Sequence, residues 1–173
     1  MKLLGILFTS YVSFAHSFLL MPYIIRNILP IRTEPTIVLN SYLGLWNQVA
    51  TSRSSALLGT GVRYTNVSAY YNLLNNSDIG VYNSGYDQNG NFTSIRGNSF
   101  VIGKSQTRRK LHFDGVPVDG NYWIVKLGPI RGNIYRYAIV SGALTSRFGT
   151  RFSLYVLARD RNEFKQKYEK EVK

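Results

Sequence analysis

Catalysis needs side chains that ionise, ligate or attack, and this chain supplies few of them. Among its 173 residues there is no cysteine, and there are two histidines, His16 and His112. Disulfides, zinc–thiolate sites and thiol chemistry are therefore excluded. A cluster of metal-binding histidines cannot be assembled either. His16 lies inside an apolar run, so a histidine-dependent triad would rest on His112 alone. The acids Asp78, Asp87, Asp114 and Asp119 fall in turn-like clusters or at the ends of apolar runs, so no paired carboxylates face a pocket. No Gly-x-Ser-x-Gly elbow occurs. The chemistry points away from an enzyme and towards binding, with no metal and no cofactor.

What the chain does supply is positive charge and aromatic surface. It holds 21 Lys+Arg against 9 Asp+Glu, a net charge of +12. Between Lys104 and Lys173 the balance is 15 basic to 6 acidic residues. Such a chain either carries a solvated basic face or attracts acidic partners: anionic headgroups, acidic amphiphiles or polyanions. Arg108, Arg109 and Lys110 form the densest basic cluster. The aromatics are 13 Tyr, 9 Phe and 2 Trp, enough to fill a core or to line an apolar pocket.

These groups need elements to position them. Residues 3–25 carry no formal charge, and a bilayer core is crossed by roughly 20 helical residues. The segment 1–25 is expected to be a signal peptide, with Ser13 and Ala15 at the spacing of a cleavage site, or a retained membrane anchor. Either reading places the protein outside the cytoplasm, secreted or membrane-attached. Residues 26–40, with Pro30 and Pro35, form a lead-in without a clear period. The domain proper spans residues 41–173. Its runs rich in Tyr, Val, Ile and Phe are split by Gly, Asn and Asp clusters. They are Tyr42–Ala50, Gly61–Leu74, Ile79–Tyr86, Phe92–Gly103, Arg109–Asp114, Gly120–Leu127, Ile134–Ser141 and Phe152–Asp160. Eight strands with mostly short connections predict an all-β fold, an eight-stranded antiparallel up-and-down barrel. The tail 161–173 changes to alternating charge. Its Phe164, Tyr168 and Val172 are spaced four apart, which predicts a helix with one apolar face.

The first strand opens Tyr42-Leu43-Gly44-Leu45-Trp46, a Gly-x-Trp after an irregular lead-in. Further on stand Val67-Ser68-Ala69-Tyr70-Tyr71, Val81-Tyr82-Asn83-Ser84-Gly85-Tyr86, Asn121-Tyr122-Trp123-Ile124-Val125 and a last strand that closes on Arg159. In this order the segments resemble the lipocalins, a calycin-type family, and most nearly their bacterial and apolipoprotein-D-like branch. The resemblance covers roughly residues 41–170. Two departures stand out. Asn47 replaces the second aromatic of the opening motif. Tyr135-Arg136-Tyr137 stands where many lipocalins have Thr-Asp-Tyr.

The resemblance implies a structural signature, Gly44, Trp46 and Arg159, with the guanidinium crossing the indole at the closed end. It also implies a small hydrophobic or amphipathic ligand in the cavity, of the fatty acid or lysophospholipid class. Trp123 is expected to face that cavity, and alternation would then bring Val125 with it. On the second strand either Val67, Ala69 and Tyr71 or Ser68 and Tyr70 face inward, and the first set is the more apolar. Gln48 and Ala50 share parity with Trp46 and are expected to line the lower cavity. Arg63, Lys104 or Lys110 could meet a carboxylate or phosphate at the mouth. The alternatives are a barrel filled by its own side chains with a structural role, and a basic face that binds polyanions. Membrane association fits the charge, whereas specific nucleic-acid binding does not fit an exported chain.

Overall fold

In the computed structural model the described residues are 31–52, 64–75, 77–146 and 149–172. The chain divides into two compact units, Met1–Arg32 and Thr33–Lys173. The leader expected over residues 1–25 lies outside the described residues. Among those that are described, no helix is long and apolar enough to cross a membrane.

The second unit opens with an extended lead-in and one helical turn, α1 (Leu39–Tyr42). The strands are β1 (Gly44–Thr51), β2 (Thr65–Leu73), β3 (Ile79–Tyr86), β4 (Phe92–Ile102), β5 (Ser105–Phe113), β6 (Gly120–Leu127), β7 (Ile130–Arg131), β8 (Ile134–Tyr135), β9 (Tyr137–Ser146) and β10 (Gly149–Ala158). Eight of them close a ring in the order β1-β10-β9-β6-β5-β4-β3-β2, while β7 and β8 pair as a separate hairpin. Closure pairs every wall strand on both sides and removes the unpaired edge of an open sheet. The predicted barrel is the observed one.

The limits of the strands follow from local chemistry. Tyr42 belongs to α1 rather than to the first strand, because Gly44 turns the chain at φ +95° before β1 begins. The β3–β4 turn is built by Asp87, whose Oδ1 accepts from the backbone N–H groups of Asn89 and Asn91, both at 2.8 Å. The expected seventh strand divides at Arg136: its N–H leaves the ladder for Pro129 O at 3.0 Å, separating β8 from β9.

Alternation decides what each strand presents to the interior. In β5, Thr107 and Arg109 are buried, and Leu111 and Phe113 pack on the same core. Arg108 and Lys110 lie between them on the outer face. The lower interior is one cluster that includes Trp46, Tyr71, Ile79, Tyr122, Ile124, Val140 and Leu157, closed from beneath by Tyr42 of α1. The lead-in is tied to the same end. Glu34 N–H donates to Ile124 O at 2.9 Å, Glu34 Oε1 accepts from Leu127 N–H at 2.9 Å, and Thr107 Oγ1 donates to Glu34 O at 2.6 Å.

The C-terminal segment, α2, is helical through Arg161–Glu163, Phe164–Tyr168 and Glu169–Val172. Asp160 caps it by accepting from Glu163 N–H at 2.7 Å. Its middle turn is wider than an α-turn, with Glu169 N–H bonded to Phe164 O. Phe164 and Tyr168 are buried against Tyr137, Val156 and Ala158 on the outer wall, and Val172 packs beside them. The tail therefore completes a second, smaller core outside the ring. Arg136, at one of the positions that depart from the lipocalin pattern, forms an ion pair with Glu163. Lys126 and Tyr137 both reach Glu171, at 2.6 and 2.8 Å.

Truncation of Phe164→Ala is expected to cost about 3 kcal/mol, by lost burial plus the cavity left behind, read from the urea midpoint at constant slope. Hydrogen bonds from Arg136 hold the Glu163 carboxyl below its ordinary value of 4.5. A carboxyl depressed in this way stabilises the fold fully above its unfolded value, and the contribution is lost as pH falls through the folded one. Stability should thus fall less steeply on acidification in Glu163→Gln than in the wild type. Equal pH slopes would contradict the pairing.

Candidate functional site in the barrel interior

The closed end is built around Trp46, which is fully buried. Burial of roughly 200 Å² of indole at about 25 cal/mol/Å² gives an upper estimate of about 5 kcal/mol. Its Nε1–H donates to Tyr42 O at 2.8 Å. The Arg159 guanidinium carbon lies 3.7 Å from the centroid of the indole ring. The same guanidinium donates to the backbone oxygens of Leu45 at 2.6 Å, Leu43 at 2.7 Å, Ser41 at 3.1 Å, Tyr42 at 3.2 Å and Tyr135 at 3.2 Å. Carbonyls at the end of a helical turn have no partner within that turn, and Arg159 supplies one. Burial lowers the Arg159 pKa to about 10, so the group is still a cation at neutral pH. Glycine is required at position 44 by its backbone, whose φ is +95°, while a Cβ there would meet Arg159 Nη1 at 3.4 Å, an ordinary contact. Asn47, the other departure from the lipocalin pattern, donates through Nδ2 to Arg159 O at 3.0 Å.

Above this plug three phenols meet. Tyr42 and Tyr122 hydroxyls are 2.5 Å apart, and Tyr122 donates to Tyr71 at 3.0 Å. Tyr71 stacks on Tyr42, with ring centroids 5.6 Å apart, and meets Tyr122 edge-on at 6.2 Å. Burial pushes the Tyr71 pKa up to about 12 and raises those of Tyr42 and Tyr122 well above 10. Arg109 is the cross-strand neighbour of Tyr122 and is 1% exposed. Its Nη2 donates to Ser77 O at 2.6 Å and Ser99 O at 2.8 Å, its Nε to Ser99 Oγ at 2.9 Å, and its Nη1 to Gln106 O at 3.4 Å. None of these hydrogen-bond partners is an anion, and Asp78 acts on the guanidinium only through space.

Higher in the ring the inward side chains change character. Val67, Ile95, Leu111, Phe113 and Tyr155 share the inward parity yet stay partly exposed. Small residues, Ala69, Gly85, Gly97, Gly120, Gly142 and Ser153, occupy the neighbouring inward positions. Side chains that point into a closed ring and still meet solvent do so through its lumen. Asn83 also points inward, paired with Ala69 and Ile95, and its buried Oδ1 has no hydrogen-bond partner. None of the chain's nine acids lies in a wall strand.

The expected site residues separate into two groups. Val67, Ala69 and Tyr71 face inward, with Tyr71 at the floor and Val67 highest. Gln48 also faces inward, opposite Leu157. Ala50 does not. A bulge between Gln48 and Ala50 reverses the parity, so Ala50 pairs with Val156 on the outer wall and borders a groove beneath α2. Trp123 is likewise on the outside, because its neighbours Tyr122 and Ile124 are the inward, buried residues. Its ring lies 5.5 Å from the Arg108 guanidinium. Val125 is the extra residue of a bulge between Ile124 and Lys126. Of the cations expected at the mouth, Arg63 lies outside the described residues. Lys104 sits in the β4–β5 turn at the closed end, and Lys110 is on the outer face. The basic cluster splits across the wall, since Arg109 is buried within and its two neighbours are outside. Sequence reasoning missed Arg109 as an interior residue. The signal was the alternation that places Thr107, Leu111 and Phe113 on one face.

Among the described residues no group of three His, Asp or Glu could hold a metal ion. His112 Nδ1 lies 2.9 Å from Asp119 Oδ1, an exposed pair on the outer surface.

The family model described as a lipocalin-like domain matches residues 37–173. No curated protein sequence gives a significant match. Among solved structures, H1 crustacyanin from the lobster Homarus americanus superposes with a TM-score of 0.58 at 16% identity, over 79% of this chain and 72% of that one. Lobster apocrustacyanin A1 gives 0.55 at 15%, over 80% and 68%. The amine-binding protein of Rhodnius prolixus, solved as its tryptamine complex, gives 0.53 at 15%, over 81% and 76%. At such identities the likeness is one of fold.

Replacement Arg159→Lys keeps the charge but loses the planar fork, and should cost about 2–3 kcal/mol in urea unfolding with a red shift of Trp46 emission. An unchanged midpoint would contradict the role given to the fork. Phenols raised in the folded state stabilise it below their unfolded value near 10, and this is lost as pH rises through the folded values. Absorbance at 295 nm should therefore show Tyr42, Tyr71 and Tyr122 ionising only as the protein unfolds, after the exposed tyrosines have titrated.

Proposed function

Because this chain belongs to the lipocalin-like family, we propose that its barrel binds and carries a small amphipathic molecule in the upper lumen, of the fatty acid or lysophospholipid class. One observation carries the reading: the inward apolar side chains above the tyrosines, Val67, Ile95, Leu111 and Phe113, are partly exposed, while Trp46, Tyr71, Ile79, Tyr122 and Ile124 beneath them are buried. An apolar surface inside a ring lined with glycine, alanine and serine suits an acyl chain, and its burial supplies the affinity.

Charge narrows the class. Among the described wall strands the buried inward charge is Arg109, and no acid is present to meet an ammonium. A cationic head would be desolvated beside a buried cation, whereas an anionic one would relieve it. The same absence of wall acids leaves no carboxylate to act as general acid or base at the lumen, and binding rather than catalysis is the activity proposed. The apolar stretch of residues 3–25 supports export or attachment to a membrane. The net charge of +12 would favour delivery at anionic bilayers.

Two variants separate the lumen from the outer wall. Ala69→Phe places a ring where the acyl chain would lie and should weaken binding of palmitate at least about tenfold. Trp123→Phe, on the outer face, should leave it within about twofold. Both are read by displacement of a fluorescent fatty acid. Thermal denaturation that no fatty acid or lysophospholipid shifts would overturn the proposal, as would tight binding that survives Ala69→Phe and fails in Trp123→Phe.

A further inference from the structure

Building on that reading, we propose that the ligand enters head first: a single carboxylate sits at the floor of the lumen, accepting a hydrogen bond from the Tyr71 hydroxyl in the field of Arg109, with its tail directed to the open end. The assignment deepens the proposed function by selecting a fatty carboxylate over a lysophospholipid and by fixing its polarity.

The argument begins with a count of protons. Three phenols own three hydroxyl hydrogens. Two contacts join them, Tyr42 with Tyr122 and Tyr122 to Tyr71. Since Tyr122 donates to Tyr71, Tyr42 must donate to Tyr122. The chain of donors then ends on the Tyr71 hydroxyl, which keeps its proton and has no acceptor among the described residues. Tyr71 is on the inward face of β2, and one layer above it Asn83 carries a buried amide end without a partner. Two polar side chains on adjacent inward layers are therefore under-used, at the boundary between the sealed base and the open lumen. Buried polar groups are rarely left so without a partner that arrives from elsewhere.

The sign of that partner follows from Arg109. Four contacts, to Ser77, Ser99 and Gln106, engage its N–H groups with neutral oxygens. It adjoins Tyr122 across the β5–β6 ladder. An acceptor with negative charge satisfies the leftover hydroxyl proton and is favoured by the buried cation, which Asp78 reaches only through space. A carboxylate does so in a small volume, and its second oxygen can take a hydrogen from the Asn83 amide once that group turns its nitrogen inward. A phosphocholine head is larger and brings its own cation to the side of the cavity already positive. The width of an eight-stranded barrel, which holds one small ligand, excludes it from the floor.

The test uses palmitate, methyl palmitate and lysophosphatidylcholine against the full chain, with binding followed by displacement of a fluorescent fatty acid. Palmitate should bind about tenfold or more tightly than its methyl ester. Tyr71→Phe keeps the stacked ring and removes only the hydroxyl. It should reduce palmitate affinity about tenfold while changing the ester less than about twofold. A second measurement needs no variant. The carboxyl resonance of palmitate labelled with ¹³C at that carbon should resist broadening by a soluble gadolinium chelate, while a label at the terminal methyl should be broadened more strongly. Equal affinities for acid and ester, a Tyr71→Phe protein that binds palmitate normally, or a carboxyl broadened more than the methyl would each overturn the head-first assignment and leave lumen binding intact. Binding of none of the three amphiphiles would overturn both.

Discussion

The contact on which the rest of the fold depends is that between the Arg159 guanidinium and the Trp46 ring, 3.7 Å apart. It joins the first wall strand to the last and pulls the preceding helical turn under the ring. One side chain faces the indole and also donates to five backbone carbonyls of α1, the Leu43 that follows it, β1 and the β7–β8 hairpin. A flat cation does both at once because its faces and its edges are chemically different. Lysine has no such geometry. With this end fixed, everything placed above it has a defined floor, and the lumen becomes a blind tube rather than a channel.

The two halves of that tube differ in kind. Below, large residues interlock in a buried cluster. Above, small residues on adjoining strands leave the larger apolar ones partly exposed. The boundary is marked by three phenols and a buried guanidinium, none of which a purely hydrophobic stopper would require. Burying a cation is unfavourable, and here it is tolerated through backbone carbonyls of β4, of β5 and of the β2–β3 connection. Polar groups kept at such a place give the interior a direction, apolar towards the mouth and positive at depth.

Much of this was legible in the residues, and the failures are instructive. The eight wall strands and the tail helix follow from alternation, turn residues and spacing, and the closed-end positions of Gly44, Trp46 and Arg159 from the resemblance to the lipocalins. The outward placement of Trp123 does not, because Tyr122-Trp123-Ile124-Val125 is apolar on both faces and alternation alone cannot choose between them. Tyr122 and Ile124 take the interior, and Arg108 packs over the outward indole from the neighbouring strand. Ala50 and Val125 were misplaced for another reason: counting by twos fails across a bulge, and each strand contains one that the sequence does not announce. Arg109 was hidden by its neighbours, since three consecutive basic residues look like surface until the period of two is imposed on them. The two departures from the lipocalin pattern found new partners, Asn47 on the Arg159 carbonyl and Arg136 on Glu163.

A crystal structure of the protein saturated with a fatty acid brominated at its terminal carbon would locate both ends of the ligand in one experiment. The account predicts an anomalous bromine peak within the ring at the level of Val67 and Phe113, joined by continuous density to a carboxylate beside Tyr71. A bromine on the outer wall, in the groove beneath α2, or an interior closed to its mouth by the protein's own side chains would contradict it.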